Sequence, residues 1–166
     1  MTVNIFVPRD STAIALGAHR VADAITAHAT ALGKDIRLIR NGSRGMFWLE
    51  PMVEVEINGD RFAYGPVTED DVTSLFDANF IQGGQHPLAL GKTEDIPFLK
   101  NQERLTFARI GITDPLSLDD YLAHEGYVGL KKALVLTQEQ IVQQVTDSGL
   151  RGRGGAAFPT LSLIHI

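Results

Sequence analysis

Cysteine is absent from this chain of 166 residues. That excludes disulfides, and it also excludes thiolate-held zinc or iron–sulfur clusters carried by these residues themselves. Lysine and arginine number 15 against 20 aspartates and glutamates, a formal charge of −5, so the cationic excess on which general nucleic-acid binding rests is missing. No apolar run approaches the length that spans a bilayer. Met1–Pro8 has no basic stretch leading into an apolar one, and the expectation is a soluble cytoplasmic protein without membrane insertion. The five histidines, His19, His28, His86, His124 and His165, have no metal-ligand spacing, and His124-Glu125 is not followed by the second histidine of a zincin. No Gly-x-Ser-x-Gly elbow occurs, and nothing around Ser43 or Ser148 would activate either as a nucleophile.

What is present reads first as a small layered domain. Val3–Val7 alternates in apolar positions with an extra Phe6, as a strand buried largely on both faces requires, and Pro8 ends it. Asp10 or Ser11 can cap a helix with Ile14, Val21, Ile25 and Leu32 on its inward face, and Gly33 falls where a C′ glycine belongs. Ile36–Ile39 is a second strand, parallel to the first because a helix crosses between them. In Val53–Ile57 the apolar residues alternate with Glu54 and Glu56, predicting one buried and one wet face. Asn58-Gly59 is a hairpin signal, since a type I′ turn needs φ > 0 at both central positions, so Arg61–Tyr64 returns antiparallel. Thr68 and Asp71 open a further helix with Val72, Leu75 and Phe76 facing inward. The order β-α-β-β-α is the minimal thioredoxin-like layout, a four-stranded sheet covered by two helices.

Turn chemistry at Gln82–Pro87 and Gly91–Asp95 places a linker at 84–95, between a first domain at 1–83 and a second region at 96–166. There Leu105–Phe107 reads as a strand, and Pro115 and Ser117 start a helix with Asp120 completing its capping box. Gly126 interrupts that helix, and Leu130, Ala133 and Leu134 continue the apolar face. Thr137 and Gln140 then box the start of a helix stapled by Leu136 and Ile141, and Gly149 stops it. Lys100, Arg104 and Arg109 could face a phosphate, although a solvated surface paired with nearby acids is the commoner arrangement.

The stretch after that helix holds Gly149, Gly152, Gly154 and Gly155, with Arg151 and Arg153 between them. Such a backbone is expected to bend at φ > 0 and to leave N–H groups bare for an anion, a phosphate above all. Ala156 to Pro159 is too apolar for a solvated Gly/Ser linker. Gly152 to Ala157 also fits the dinucleotide fingerprint G-x-G-x-x-A. That fingerprint needs a preceding strand, and a helix stands there instead.

Asp147-Ser-Gly-Leu-Arg-Gly-Arg-Gly-Gly-Ala-Ala-Phe-Pro-Thr160 resembles the FMN- and NAD-binding loop of the flavoprotein subunit shared by complex I, NAD-linked hydrogenases and soluble NAD-dependent formate dehydrogenases. The resemblance implies cofactor contacts at Gly152, Arg153, Gly154, Gly155, Ala156, Ala157, Phe158, Pro159 and Thr160, with FMN and NAD as the cofactors. It assigns no catalytic residue and no metal to this chain, and it places a 4Fe–4S cluster in a C-terminal part that these residues do not include. The family continues with a glycine and a lysine-containing helix, whereas this chain reads Leu161-Ser-Leu-Ile-His-Ile166. Residues 96–166 are therefore read as the truncated start of the flavoprotein domain, too short to bury its core and inactive alone.

Asn41-Gly-Ser-Arg-Gly-Met-Phe-Trp-Leu-Glu-Pro51 is similar to the Gly-Cys-x-Gly-x-Cys-x-x-Glu-Pro stretch of thioredoxin-like ferredoxins, where two cysteines hold a 2Fe–2S cluster. Ser43 and Phe47 occupy those positions here, and neither a hydroxyl nor a phenyl ring replaces a thiolate on iron. The implied fold class is α/β (α+β): a ferredoxin-type thioredoxin-like domain without its cluster cysteines, then the start of an FMN/NAD-binding domain. Packing of Phe47 and Trp48 on the sheet is the preferred reading; exposed, they would mark a docking patch. The cluster-less front domain resembles the soluble formate dehydrogenase branch, which implies electron flow from formate through iron–sulfur clusters and FMN to NAD⁺. It also implies, as partners, a molybdenum or tungsten catalytic subunit and a small 2Fe–2S thioredoxin-like subunit. The alternatives are the diaphorase subunit of an NAD-linked hydrogenase, an NADH dehydrogenase subunit, or a non-catalytic docking module.

Overall fold

The computed structural model describes residues 2–165; Met1 and Ile166 lie outside the described residues. The chain divides between His124 and Glu125 into two compact units, each described by itself.

The first unit runs β1 (Val3–Phe6), α1 (Ser11–Ala15), α2 (Ala18–Ala31), β2 (Ile36–Ile39), β3 (Val53–Ile57), β4 (Asp60–Tyr64), α3 (Val72–Asp77), β5 (Ala89–Lys92), α4 (Pro97–Lys100) and α5 (Leu118–Ala123). The strands form one sheet in the order β2-β1-β3-β4-β5. Only the β1–β2 pair is parallel, as the helical crossover required. Asp10 is the cap of α1, its Oδ1 accepting the amides of Thr12 at 3.1 Å and Ala13 at 3.2 Å. Gly17, at φ 102°, then breaks what the periodicity predicted as a single helix. The break turns Ile14 away, and α2 buries Ala18, Val21, Ala22, Ile25 and Ala29 instead. Asn58 and Gly59 take φ 54° and 86°, which sets the β3–β4 register from Val53 opposite Tyr64 to Ile57 opposite Asp60.

One face of the sheet packs against α1, α2 and α3. Ile5, Val7, Val53, Val55 and Tyr64 meet Val21, Ile25, Leu75 and Phe80 there. Burial of each such large side chain stabilises the fold by about 1.5–3 kcal/mol, and Tyr64, Phe80 and Phe76 add edge-to-face ring contacts at 5.7 and 5.0 Å. The opposite face was expected to be wet. It is covered instead: Met46, Met52, Ala63 and Leu99 form a second buried cluster, with Leu49, Leu90 and Ile96 packed against it.

The stretch 84–95, read as a linker, carries β5, which pairs with β4 through Phe62 and Lys92, Ala63 and Gly91, and Tyr64 and Ala89. The compact unit accordingly continues past residue 95 to His124. A four-residue strand containing Gly91 at φ 82° gives no alternating pattern to read. Leu105 to Phe107 forms turns rather than a strand, with Leu105 and Phe107 strongly exposed. The expected helix after Ser117 is α5, and Ser117 Oγ accepts the Asp120 amide at 3.2 Å.

The second unit holds α6 (Val128–Ala133), α7 (Gln138–Asp147) and a 3-10 turn over Thr160–His165. Among its described residues only Gly126 is buried. Leu134, Val135, Val142, Leu150 and Phe158 are all exposed, so the apolar stripe has no interior to enter. No helix among the described residues is long and apolar enough to cross a membrane.

Candidate functional site

The glycine loop is delivered by α7. Thr137 Oγ1 accepts the Gln140 amide at 3.3 Å while Gln140 Oε1 accepts the Thr137 amide at 2.9 Å, so the expected capping box is formed. Gly149, at φ 64°, ends the helix. The chain then closes on itself. The Thr160 amide and hydroxyl both donate to Leu150 O, at 3.0 and 2.8 Å, and the Gly152 amide donates to Phe158 O at 2.8 Å. Residues 153–157 are the tip of this pinned loop, with the Ala157 amide donating to Gly154 O at 3.1 Å.

The expectation of left-handed glycines across the loop is met only at Gly149. Gly152, Gly154 and Gly155 all avoid positive φ, and the left-handed residue of the loop itself is Ala157, at φ 47°. The hydrogen bonds at the neck, rather than glycine torsions, make the bend. Bare donors are present nonetheless: among the described residues the amides of Arg153, Gly154, Gly155 and Ala156 have no hydrogen-bond partner. Space is present too, because a Cβ on Gly154 or Gly155 would meet nothing within 4 Å. Gly152 is different, since a Cβ there would stand 3.3 Å from Leu163 Cδ1. Arg153, Phe158 and Pro159 are exposed and Thr160 is half-buried, held by its two bonds to Leu150 O. No strand precedes these glycines, which removes the dinucleotide fingerprint.

The second place of interest is the Asn41–Pro51 loop of the first unit. Ser43 and Phe47, the positions that match ferredoxin cysteines, both line one cleft of about 530 Å³. Ser43 is buried and donates its hydroxyl to Glu50 Oε1 at 2.6 Å, while its oxygen accepts the Gly45 amide at 3.0 Å. Glu50 Oε2 accepts the Met52 amide at 3.0 Å. Burial pushes the Glu50 carboxyl above its ordinary value, against the pull of those two hydrogen bonds. Phe47 and Trp48, expected to pack on the sheet, are 56% and 62% exposed. Trp48 meets Phe98 edge-on at 5.2 Å, and Phe98 is itself exposed.

Charge pairing beneath this loop was not anticipated. Glu54, assigned to a wet face, is 1% exposed and takes both Nε and Nη2 of Arg44, at 3.0 and 2.8 Å. Arg61 approaches it at 3.7 Å with its guanidinium 3.5 Å over the Phe6 ring. Burial works against the Arg44 charge, but Glu54 and Glu94 outweigh it and hold its pKa above the usual value. Arg61, mainly desolvated, is pushed down. Arg61 Nη1 and Asn41 Nδ2 then both donate to Gly111 O, at 2.7 and 2.8 Å, and draw the 109–113 segment into place. Arg104, its side chain 17% exposed, pairs with Glu94 at 2.8 Å, and the solvated Lys100 pairs with Asp95 at 3.5 Å, so both cations are matched to acids rather than gathered into a phosphate patch. Part of this was within reach of the sequence, because the Asn58-Gly59 register puts Arg61 opposite Glu56 and on the same face as Glu54. Arg44 gave no such signal.

No family model matches the chain. Similarity to curated proteins is confined to short stretches of high identity. The NADP-reducing hydrogenase subunit HndC of Solidesulfovibrio fructosivorans is 52% identical over 61 residues, 37% of this chain and 12% of that protein. The F subunit of the NADH-quinone oxidoreductase of Streptomyces coelicolor is 57% identical over 44 residues, 26% and 10% of the two chains. Its Escherichia coli counterpart is 53% identical over 47 residues, 28% and 11%. Over these stretches the chain is homologous to oxidoreductase subunits. It spans about a tenth of the length of the relatives it matches. Among solved structures, a thioredoxin-like 2Fe–2S ferredoxin from Aquifex aeolicus is 19% identical with a TM-score of 0.47, covering 55% of this chain and 93% of the ferredoxin.

Proposed function

We propose that the chain supplies the N-terminal part of the flavoprotein subunit of an NAD(P)-linked dehydrogenase, with residues 152–160 contributing to an FMN and NAD(H) site. The observation that carries this reading is identity above half, over 44 to 61 residues, to subunits whose names are those of an NADP-reducing hydrogenase and NADH-quinone oxidoreductases. The loop fits such a guest. Four unpartnered amides at 153–156 can donate to a phosphate, Arg151 and Arg153 can add charge-assisted bonds, and open space over Gly154 and Gly155 admits a flat ring system. FMN, when bound, takes electrons in pairs from or to a nicotinamide and exchanges them singly with metal clusters. The chain's own part is to hold the cofactor in register: the neck bonds between Gly152 and Phe158 and between Thr160 and Leu150 fix the loop before the cofactor arrives.

Formate is our proposed electron donor, on the strength of the resemblance of the cluster-less front domain to that branch; a hydrogenase diaphorase is the close alternative. In that reading the partners are a molybdenum or tungsten subunit and a small 2Fe–2S subunit, and the site of action is the cytoplasm. The test uses the complete subunit. Gly154→Val and Gly155→Val should strip FMN during gel filtration, read as the ratio of flavin to protein absorbance, with unchanged far-UV circular dichroism. Arg153→Ala should weaken retention less, as one contact among several. Stoichiometric FMN in both valine variants refutes the loop assignment, and NAD⁺ reduction driven by hydrogen but not by formate refutes the donor.

A further inference from the structure

The chain contains two Asn-Gly pairs, Asn41-Gly42 and Asn58-Gly59, and the fold treats them differently. Asparagine is thermolabile, most of all before glycine, because without a Cβ the following amide nitrogen can come up to the side-chain carbonyl carbon. Both glycines are open: a Cβ on Gly42 or on Gly59 would meet nothing within 4 Å. The asparagines are not alike. Asn41 is 2% exposed, its Nδ2 donates to Gly111 O at 2.8 Å, and its carbonyl accepts the Arg9 amide at 2.9 Å. Its side chain cannot swing onto the Gly42 nitrogen without giving up that bond in the interior. Asn58 stands exposed at the tip of the β3–β4 hairpin, at φ 54°, and among the described residues neither its side chain nor the Gly59 amide has a hydrogen-bond partner. The ladder closes beneath it at the Ile57–Asp60 pair, so the two turn residues can change torsion without breaking a strand bond.

We propose that Asn58 is a self-modifying site, converted to aspartate and isoaspartate in the folded protein, while the fold preserves Asn41. The Gly59 nitrogen gives up its proton to solvent and attacks Asn58 Cγ. The new N–Cγ bond displaces Nδ2, which takes a proton back from solvent and leaves as ammonia. Water then opens the cyclic imide. Cleavage of the N–Cγ bond leaves an ordinary aspartate, and cleavage of the original peptide bond leaves an isoaspartate whose main chain runs through Cγ. Either product adds a negative charge between Glu56 and Asp60 in the sequence, where Lys92 is already paired with Asp60 at 2.8 Å. The isoaspartate does more. It lengthens the turn by the Cβ methylene, so the connection no longer matches the register that sets Arg61 opposite Glu56. Arg61 in turn holds Gly111 O at 2.7 Å, so the loosening passes from the hairpin to the 109–113 segment. All of these residues belong to the first unit, and the flavin-loop reading plays no part.

The complete chain would be aged in mildly alkaline buffer, native and in denaturant, and mapped with trypsin. Cuts after Arg40, Arg44 and Arg61 put the two asparagines on separate peptides. In the native chain Asn58 should convert to mixed aspartate and isoaspartate at least about tenfold faster than Asn41, which reacts only from opened forms. In denaturant the two should convert within about twofold of each other, because the protection of Asn41 is gone. Asn58→Gly suits the same turn and should abolish ammonia release from the native chain over that period. The isoaspartyl form, resolved by anion exchange, should unfold at lower urea than the unaged chain and than Asn58→Asp, read by Trp48 emission. Persistence of Asn58 in the native chain while it converts in denaturant overturns the proposal, since the ordered turn would then be protective. Equal native rates at the two asparagines, the same ratio with and without denaturant, or undiminished ammonia release from Asn58→Gly overturns it too. An isoaspartyl form as stable as the unaged chain overturns the link to the hairpin register.

Discussion

Gly111→Ala should be among the most damaging single-methyl changes in the first unit, although residue 111 lies on a loop. Two effects combine. Gly111 sits at φ 71°, and an L-residue held there costs roughly 1–2 kcal/mol. The added Cβ would also overlap Arg44 Cδ and stand 2.9 Å from its Cγ. The segment cannot simply lift away, because Gly111 O is held by Asn41 at 2.8 Å and Arg61 at 2.7 Å. Arg44 must give, and with it go the bonds at 3.0 and 2.8 Å to Glu54, which is then left buried with Arg61 3.7 Å away. Removing one partner of a buried pair costs about 3–5 kcal/mol. The sum, about 4–7 kcal/mol, approaches the whole stability of a small domain. Arg44→Ala alone should cost about 3–5 kcal/mol, and the double variant little more than Gly111→Ala, since the pair can be lost only once. Urea unfolding followed by Trp48 emission measures all three. Additivity within about 0.5 kcal/mol would refute the reasoning, because it would mean that the methyl and Arg44 never compete for the same space.

Four further outcomes follow from single residues. Glu50 has its pKa raised in the fold, chiefly by burial, so the native state binds the extra proton; stability should rise as pH falls from neutral toward the ordinary glutamate range and decline as pH climbs through the raised value. Glu50→Gln should flatten that slope in denaturant midpoints taken across the interval, while Ser43 and the Met52 amide still find a partner on the side-chain amide. In the second unit, Gly154→Ala should leave thermal stability unchanged, because nothing lies within 4 Å of the new methyl, whereas Gly149→Ala, at φ 64°, should lose about 1 kcal/mol. Thr137→Ala should cost about 1 kcal/mol of local helix stability, seen as faster amide hydrogen exchange over Gln138–Asp147.

The sheet was legible where its signals were local. The crossover at Gly33, the Asn58-Gly59 turn and the Thr68–Asp71 box each act within a few residues, and each forms as read. What escaped was set by residues far apart in the chain. Glu54 alternates with Val53 and Val55 as a wet-face residue does, and only the arrival of Arg44, ten residues away, with the cover from Met46, Met52 and Leu99 turns that face into an interior. β5 was missed because its register is imposed by β4, not by its own pattern. At the candidate cofactor loop the residue types announced exposed amides correctly. They did not announce the geometry, since the closure depends on Thr160 and Phe158 reaching back to Leu150 and Gly152.

Exposed apolar surface has different causes in the two units, and the difference decides what each can support. In the second unit Leu134, Val135 and Val142 are exposed where no interior exists among the described residues, so their exposure records only that helices of this length have nothing to pack around. In the first unit Phe47, Trp48 and Phe107 are exposed beside two completed cores and a satisfied Arg44–Glu54 pair. Lack of an interior cannot account for aromatics left uncovered there. A surface of that kind, on a domain already able to bury its own apolar faces, is free to be selected for contact with something else.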